Sequence, residues 1–92
     1  MFVVVSYDIP ETKRRTKVMK TLKNYGAHVQ YSVFECELKE PAYKKMRERL
    51  KQLVSPQHDS VRFYFLDEDA VKKIEVIGVK PVERTREFYV VG

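Results

Sequence analysis

Phe2 Val3 Val4 Val5 Ser6 Tyr7 Asp8 Ile9 Pro10 is an almost unbroken apolar run that meets an aspartate near its end. Val3, Val4 and Val5 are β-branched and favour a pleated backbone, and apolar residues at consecutive positions predict a central strand covered on both faces. Pro10 has no N–H for a ladder and ends the strand. The strand therefore delivers the Asp8 carboxylate to the place where a buried sheet meets solvent. Read from this stretch alone, Asp8 serves equally well as a cap for the next helix or turn and as a functional group.

Outward from that strand, the pattern turns helical from Glu11 to Tyr25. Val18, Met19, Leu22 and Tyr25 share one face, with Lys13, Arg14, Lys17, Lys20 and Lys23 on the others and Gly26 as a stop. Ala27 to Leu38 is β-rich but about twice the mean strand length, which fits either a hairpin turning near Tyr31 and Ser32 or one bulged strand. Pro41 suits the first turn of a second helix carrying Tyr43, Met46, Leu50 and Leu53 at helical spacing and ending before Pro56. Ser55 to Asp59 reads as a loop. Val61 to Leu66 follows as a strand with Val61, Phe63 and Phe65 on one face and Tyr64 and Leu66 on the other. An acidic connection, Asp67 Glu68 Asp69, then leads to a short strand over Ile74 to Ile77 and a final one over Glu87 to Val91.

This order predicts an α+β, ferredoxin-like β-α-β-β-α-β fold with an extra C-terminal strand, in one domain spanning residues 1–92. Two helices cover one face of such a sheet. Strands that are apolar on both sides then predict burial of the open face by a second copy, two sheets facing each other in a two-fold homodimer. Residues 80–92 form an extension able to pair with the partner subunit.

The chain has 92 residues, and a domain this small buries only ~60 to 65% of the surface its unfolded chain exposes. Lys plus Arg number 18 against 13 Asp plus Glu, a net charge of +5 that suits phosphate-rich partners. The single cysteine, Cys36, excludes an internal disulfide, and His28 and His58 alone make no soft metal cluster. No apolar run approaches the ~20 residues that span a bilayer, and the N-terminus has no signal-peptide pattern, so a cytoplasmic protein away from membranes is expected.

The first constellation with chemical potential is Tyr7 and Asp8 beside Lys13, Arg14 and Arg15. Phosphodiester cleavage calls for cations on the phosphate oxygens, a positioned water and usually a hard divalent ion held by carboxylates. One aspartate is too few ligands for magnesium, whereas a dimer pairing two Asp8 side chains supplies two. Against this stands the ordinary reading of Lys13 to Lys23 as a solvated helix face. Asp67, Glu68 and Asp69 are a second metal candidate, outweighed by an exposed loop. His28 and His58 lack a triad-like neighbour and read as structural or surface residues. Tyr31, Phe34, Phe63 and Tyr64 offer stacking surfaces for bases, with core or dimer packing as the stronger reading. Glycines 26, 78 and 92 stand alone, so there is no phosphate loop.

Val5 Ser6 Tyr7 Asp8 Ile9, Lys13 Arg14 Arg15 Thr16 Lys17 Val18, Tyr25 Gly26, Val29 Gln30 Tyr31 Ser32 Val33 Phe34 Glu35 Cys36, the Val61 to Leu66 strand and Ile77 Gly78 together resemble the CRISPR-associated protein 2 family. The resemblance covers nearly the whole chain. It implies a homodimer that works with the CRISPR-associated integrase in spacer acquisition, bridging DNA. It also implies magnesium-dependent endonuclease activity on RNA or double-stranded DNA, with Asp8 as catalytic residue and metal ligand and one ion shared by Asp8 of both chains. By the same resemblance Tyr7 belongs to the catalytic group, Lys13, Arg14, Arg15 and Lys17 face nucleic acid, Ser32 and Phe34 shape the dimer cleft, and Ala27 to Leu38 is the hairpin. Two other readings stand beside the nuclease. One is a non-catalytic DNA scaffold, favoured by the lack of a separate general base. The other is a regulatory domain that binds a small molecule, disfavoured by the missing glycine-rich loops.

Overall fold

The computed structural model describes residues 1–78. Their order is β1 (Phe2–Asp8), α1 (Thr12–Leu22), β2 (Ala27–Gln30), β3 (Val33–Glu37), α2 (Glu40–Leu53), β4 (Ser60–Leu66) and α3 (Glu68–Lys72). The strands form one antiparallel sheet in the order β2-β3-β1-β4, the ferredoxin-like arrangement expected from the sequence. The apolar run is its inner strand β1, paired with β3 on one side and β4 on the other.

Alternation along β1 sends Val3, Val5 and Tyr7 towards the helices, where they join Val18 and Leu22 of α1, Phe34 and Cys36 of β3, and Met46 and Leu50 of α2 in the main core. Glu11 caps α1 by accepting hydrogen bonds from the backbone N–H groups of Arg14 (2.9 Å) and Lys13 (3.1 Å). The helix ends at Leu22, earlier than the expected Tyr25, and a tight turn follows in which the Tyr25 and Gly26 amides both donate to the Leu22 carbonyl. Gly26 is held against β3 so closely that a Cβ there would lie 2.3 Å from the Glu35 carbonyl oxygen, which leaves room for glycine alone.

Ala27 to Leu38 is the hairpin, turning at Tyr31 and Ser32, and it also carries an irregularity between His28 and Gln30. Two expectations need correction after β4. The acidic connection is not a plain loop: Asp67 accepts a hydrogen bond from the Ala70 amide (2.8 Å) and caps the short helix α3, where Glu68 and Asp69 complement the positive helix end. Ile74 to Ile77 is not a strand. The Ile74 amide closes a turn on the Val71 carbonyl, and Ile77 is 99% exposed with no ladder partner among the described residues. The strand expected at Glu87 to Val91 and the 80–92 extension lie outside the described residues.

The face of the sheet away from α1 and α2 is apolar at one end only. Phe2 and Ala27 are buried there under Val71 and Ile74, whereas Ser6, Asp8, Ser60 and Arg62 make the other end polar. Among the described residues no helix is long and apolar enough to cross a membrane.

Candidate functional site

Asp8 is the last residue of β1, stands opposite Ser60 of β4, and is exposed. Among the described residues its carboxylate takes no hydrogen bond or ion pair. The capping role is filled by Glu11 instead, so α1 makes no demand on Asp8.

Tyr7, one residue earlier, points the opposite way into the core and is 5% exposed. Its hydroxyl donates to the Tyr31 carbonyl (3.0 Å), and its amide donates to the Ser32 carbonyl (3.0 Å). Burial pushes the phenol pKa up, with Arg15 opposing the shift. His28 Nε2 reaches the same Tyr31 carbonyl at 3.0 Å; because a carbonyl only accepts, that nitrogen carries the proton. The His28 ring stacks on Phe34 with centroids 4.4 Å apart and an interplanar angle of 3°. Tyr7, His28 and Phe34 thus fix the β2–β3 turn beside the strand tip, while the Tyr31 side chain is 90% exposed.

The basic start of α1 divides in two. Arg14 forms a fork on Asp59, with Nε to Oδ2 at 2.8 Å and Nη2 to Oδ1 at 3.1 Å, and lies 3.6 Å from Glu11. The Asp59 carboxylate is fully covered and also accepts the Ser55 amide at 2.8 Å. The Arg14 guanidinium holds Asp59 below the usual carboxylate range, assisted by the Ser55 amide and opposed by burial. Arg15 donates to the carbonyls of Ile9 (2.9 Å) and Pro10 (3.2 Å) and to the Thr12 hydroxyl (3.2 Å). Both arginines expected to face nucleic acid are therefore engaged within the protomer, Arg14 tying α1 to the α2–β4 connection and Arg15 holding the β1–α1 connection. Lys13 and Lys17 remain as exposed cations whose side chains make no hydrogen bond or ion pair among the described residues.

Phe34, expected in a dimer cleft, is a correction: it is fully buried in the protomer's own core on the helix side of the sheet. Its neighbour Ser32 is half-buried in the hairpin turn. His28 is inside the protein and His58 is on the surface against the Ser55 hydroxyl (3.0 Å). Among the stacking candidates, Phe63 packs edge-on against Tyr43, whereas Tyr31 and Tyr64 present open rings. Asp59 was missed by sequence reasoning because its partner lies 45 positions away and no local spacing links them.

A hard divalent ion fits Asp8 as half of a site. The carboxylate is the right oxygen donor, yet Ser60 rather than a second acid stands opposite, and no group of three or more His, Cys, Asp or Glu side chains among the described residues converges on a metal position. A second protomer would have to supply the other carboxylate.

The family model described as CRISPR associated protein Cas2 matches residues 1–74. A Chloroflexus aurantiacus protein named CRISPR-associated endoribonuclease Cas2 3 is 44% identical over 79 residues, covering 86% of this chain and 85% of the relative. A Thermus thermophilus protein named CRISPR-associated endonuclease Cas2 2 is 41% identical over 86 residues, covering 94% and 91%. Among solved structures, Streptococcus pyogenes Cas2 superposes with a TM-score of 0.76 at 36% identity, covering 85% of this chain and 100% of that one. A chain of a partial Cas6-RT-Cas1–Cas2 complex superposes with a TM-score of 0.69 at 29% identity, covering 91% and 98%.

Proposed function

The chain belongs to the Cas2 family of CRISPR-associated proteins, and from that premise we propose that it binds nucleic acid as a two-fold homodimer alongside the Cas1 integrase and hydrolyses phosphodiester bonds at a site built on Asp8. The observation that carries the reading is the Asp8 carboxylate, exposed at the tip of an inner strand, without a partner among the described residues, and relieved of helix capping by Glu11. The names of the relatives, endoribonuclease and endonuclease, support the hydrolysis, and the complex that contains a similar chain supports the Cas1 partner.

In this mechanism Asp8 of both protomers would hold one magnesium ion. When bound, such an ion polarises the phosphate and lowers the pKa of a coordinated water. Tyr7 is a positioning residue. Its buried hydroxyl ties the strand tip to the hairpin turn and so fixes where the neighbouring carboxylate emerges. Lys13 and Lys17 attract the nucleic-acid backbone from the exposed side of α1.

A second reading keeps the dimer and the DNA and drops the hydrolysis. What favours it is that Ser60, a poor base, is the residue directly opposite Asp8. Cleavage of labelled single-stranded RNA and double-stranded DNA by wild type and Asp8→Asn, with magnesium and with chelator, separates the two. The nuclease reading expects activity to fall at least ~100-fold in the variant and with chelator, while binding persists. Equal activity in both proteins overturns it, and binding without cleavage in either establishes the scaffold.

A further inference from the structure

The two arginines nearest Asp8 in sequence are engaged elsewhere, Arg14 on Asp59 and Arg15 on the carbonyls of Ile9 and Pro10. The proposed site would then lack a rigid cation at the phosphate, but the sheet register supplies one from a distant part of the chain. β1 and β4 pair antiparallel with Asp8 opposite Ser60 and Ser6 opposite Arg62. Alternation places Asp8, Ser6, Ser60 and Arg62 on the same face, with Asp8 and Arg62 as diagonal neighbours about 7 to 8 Å apart at the backbone. That spacing leaves room for a phosphate group between the two side chains.

Arg62 is exposed, and no carboxylate among the described residues pairs with it. Its Nη1 donates to the Tyr64 hydroxyl in a long contact of 3.4 Å, which steadies one edge of the guanidinium and leaves Nε and Nη2 without partners among the described residues. It is also the only basic side chain that the four strands present to this face among the described residues. A planar fork with unused N–H groups matches the paired oxygens of a phosphodiester.

We infer that Arg62 contacts the phosphodiester on which Asp8 acts, holding a phosphate oxygen through its free N–H groups; this rests on the nuclease reading above. Arg62 is then a substrate-binding residue of the site, and the polar end of the open face, at Ser6, Asp8, Ser60 and Arg62, receives the reacting phosphate more than the start of α1 does.

The test compares wild type, Asp8→Asn, Arg62→Gln and Arg62→Lys for cleavage, for nucleic-acid binding over a salt series, and for oligomeric mass. Arg62→Gln is expected to lower kcat/KM about 10- to 100-fold, as loss of a charge-assisted hydrogen bond implies, and to reduce the salt slope of log Kd by about 0.7 to 0.9. Arg62→Lys should recover the salt slope fully and kcat/KM in part, because lysine restores the charge without the fork. Arg62→Gln matching wild type in rate and slope overturns the inference while leaving Asp8-dependent cleavage intact. A loss of oligomeric mass in Arg62→Gln overturns it too, since Arg62 would then be holding two protomers together. If wild type binds but does not cleave, the nuclease reading fails and this inference falls with it. A wild type that neither cleaves nor binds overturns both the nuclease reading and this one.

Discussion

The two faces of the sheet are cut from the same strands and have opposite characters. On the helix side, Val3, Val5, Phe34 and Cys36 are fully buried beneath Val18, Leu22, Met46 and Leu50. On the other side the alternate residues of those strands, Val4, Ser6 and Glu35, are only half-covered, and Asp8, Arg62 and Tyr64 are exposed. Close packing is therefore concentrated on one face and the exposed polar groups on the other. Glu35 shows what the open face is like towards its middle: burial among apolar neighbours pushes its carboxyl pKa up, the opposite of Asp59, whose pKa is lowered by Arg14. The main tier of close packing fixes the backbone, a small cluster around Phe2 and Ala27 covers one end of the opposite face, and the other end carries Asp8 at a defined place.

The largest expected effect tests that division directly. Phe34→Ala removes a fully buried ring that stacks on His28, and should cost about 3 to 5 kcal/mol in urea unfolding. Tyr64→Ala removes a ring that is 47% exposed on the open face, and should cost under about 1 kcal/mol in a dilute sample. Equal losses at the two positions would break the comparison. A Tyr64→Ala loss that grows with protein concentration would sharpen it, because it would show the open face buried by a second copy.

The Arg14–Asp59 pair makes the next prediction, again about what belongs to the fold and what to the site. Asp59 is more acidic in the fold than its ordinary value of about 3.9. A carboxyl with a lowered folded pKa stabilises the protein fully above that ordinary value, and the contribution disappears as pH falls below it through the folded pKa. Asp59→Asn should therefore lower Tm at pH 7, and the deficit should shrink as pH falls below about 3.9 and the wild-type carboxylate takes up its proton. A Tm deficit that is constant across this range would mean that the contact stabilises through packing rather than charge.

Much of this architecture is legible in the chain. The β-branched run with its proline stop marks β1, and the spacing of Val18, Leu22, Met46 and Leu50 marks the buried sides of α1 and α2. Alternation alone already separates Tyr7 from Asp8, one inward and one outward. What was not legible depends on register and on distant pairing. Nothing near Arg14 reveals Asp59, and nothing near Asp8 reveals Arg62, because each pair forms only after β4 docks on β1. Phe34 was misassigned for a related reason: which side of the sheet the helices cover decides whether an aromatic on β3 is core or cleft. Asp67 looked like part of an acidic loop, although an aspartate three residues before the Ala70 amide it accepts from is a local capping pattern.

The smallest effect on stability belongs to Lys13 and Lys17, and it completes the contrast with Arg14. Both lysines are exposed on α1 and make no side-chain hydrogen bond or ion pair among the described residues, so replacing them by glutamine should leave unfolding within about 0.5 kcal/mol of wild type. Their contribution is to binding. Each backbone phosphate neutralised releases counterions, so the slope of log Kd against log salt should fall by about 0.9 per lysine on duplex DNA. Fluorescence anisotropy of a labelled duplex over a salt series measures that slope, and unfolding of the same samples measures the other quantity. Arg14→Gln should do the reverse, lowering Tm and leaving the slope nearly intact, because its guanidinium is already taken by Asp59. If Arg14→Gln flattens the slope as much as a lysine substitution does, the arginine releases Asp59 on binding, and the start of α1 belongs to the nucleic-acid surface after all.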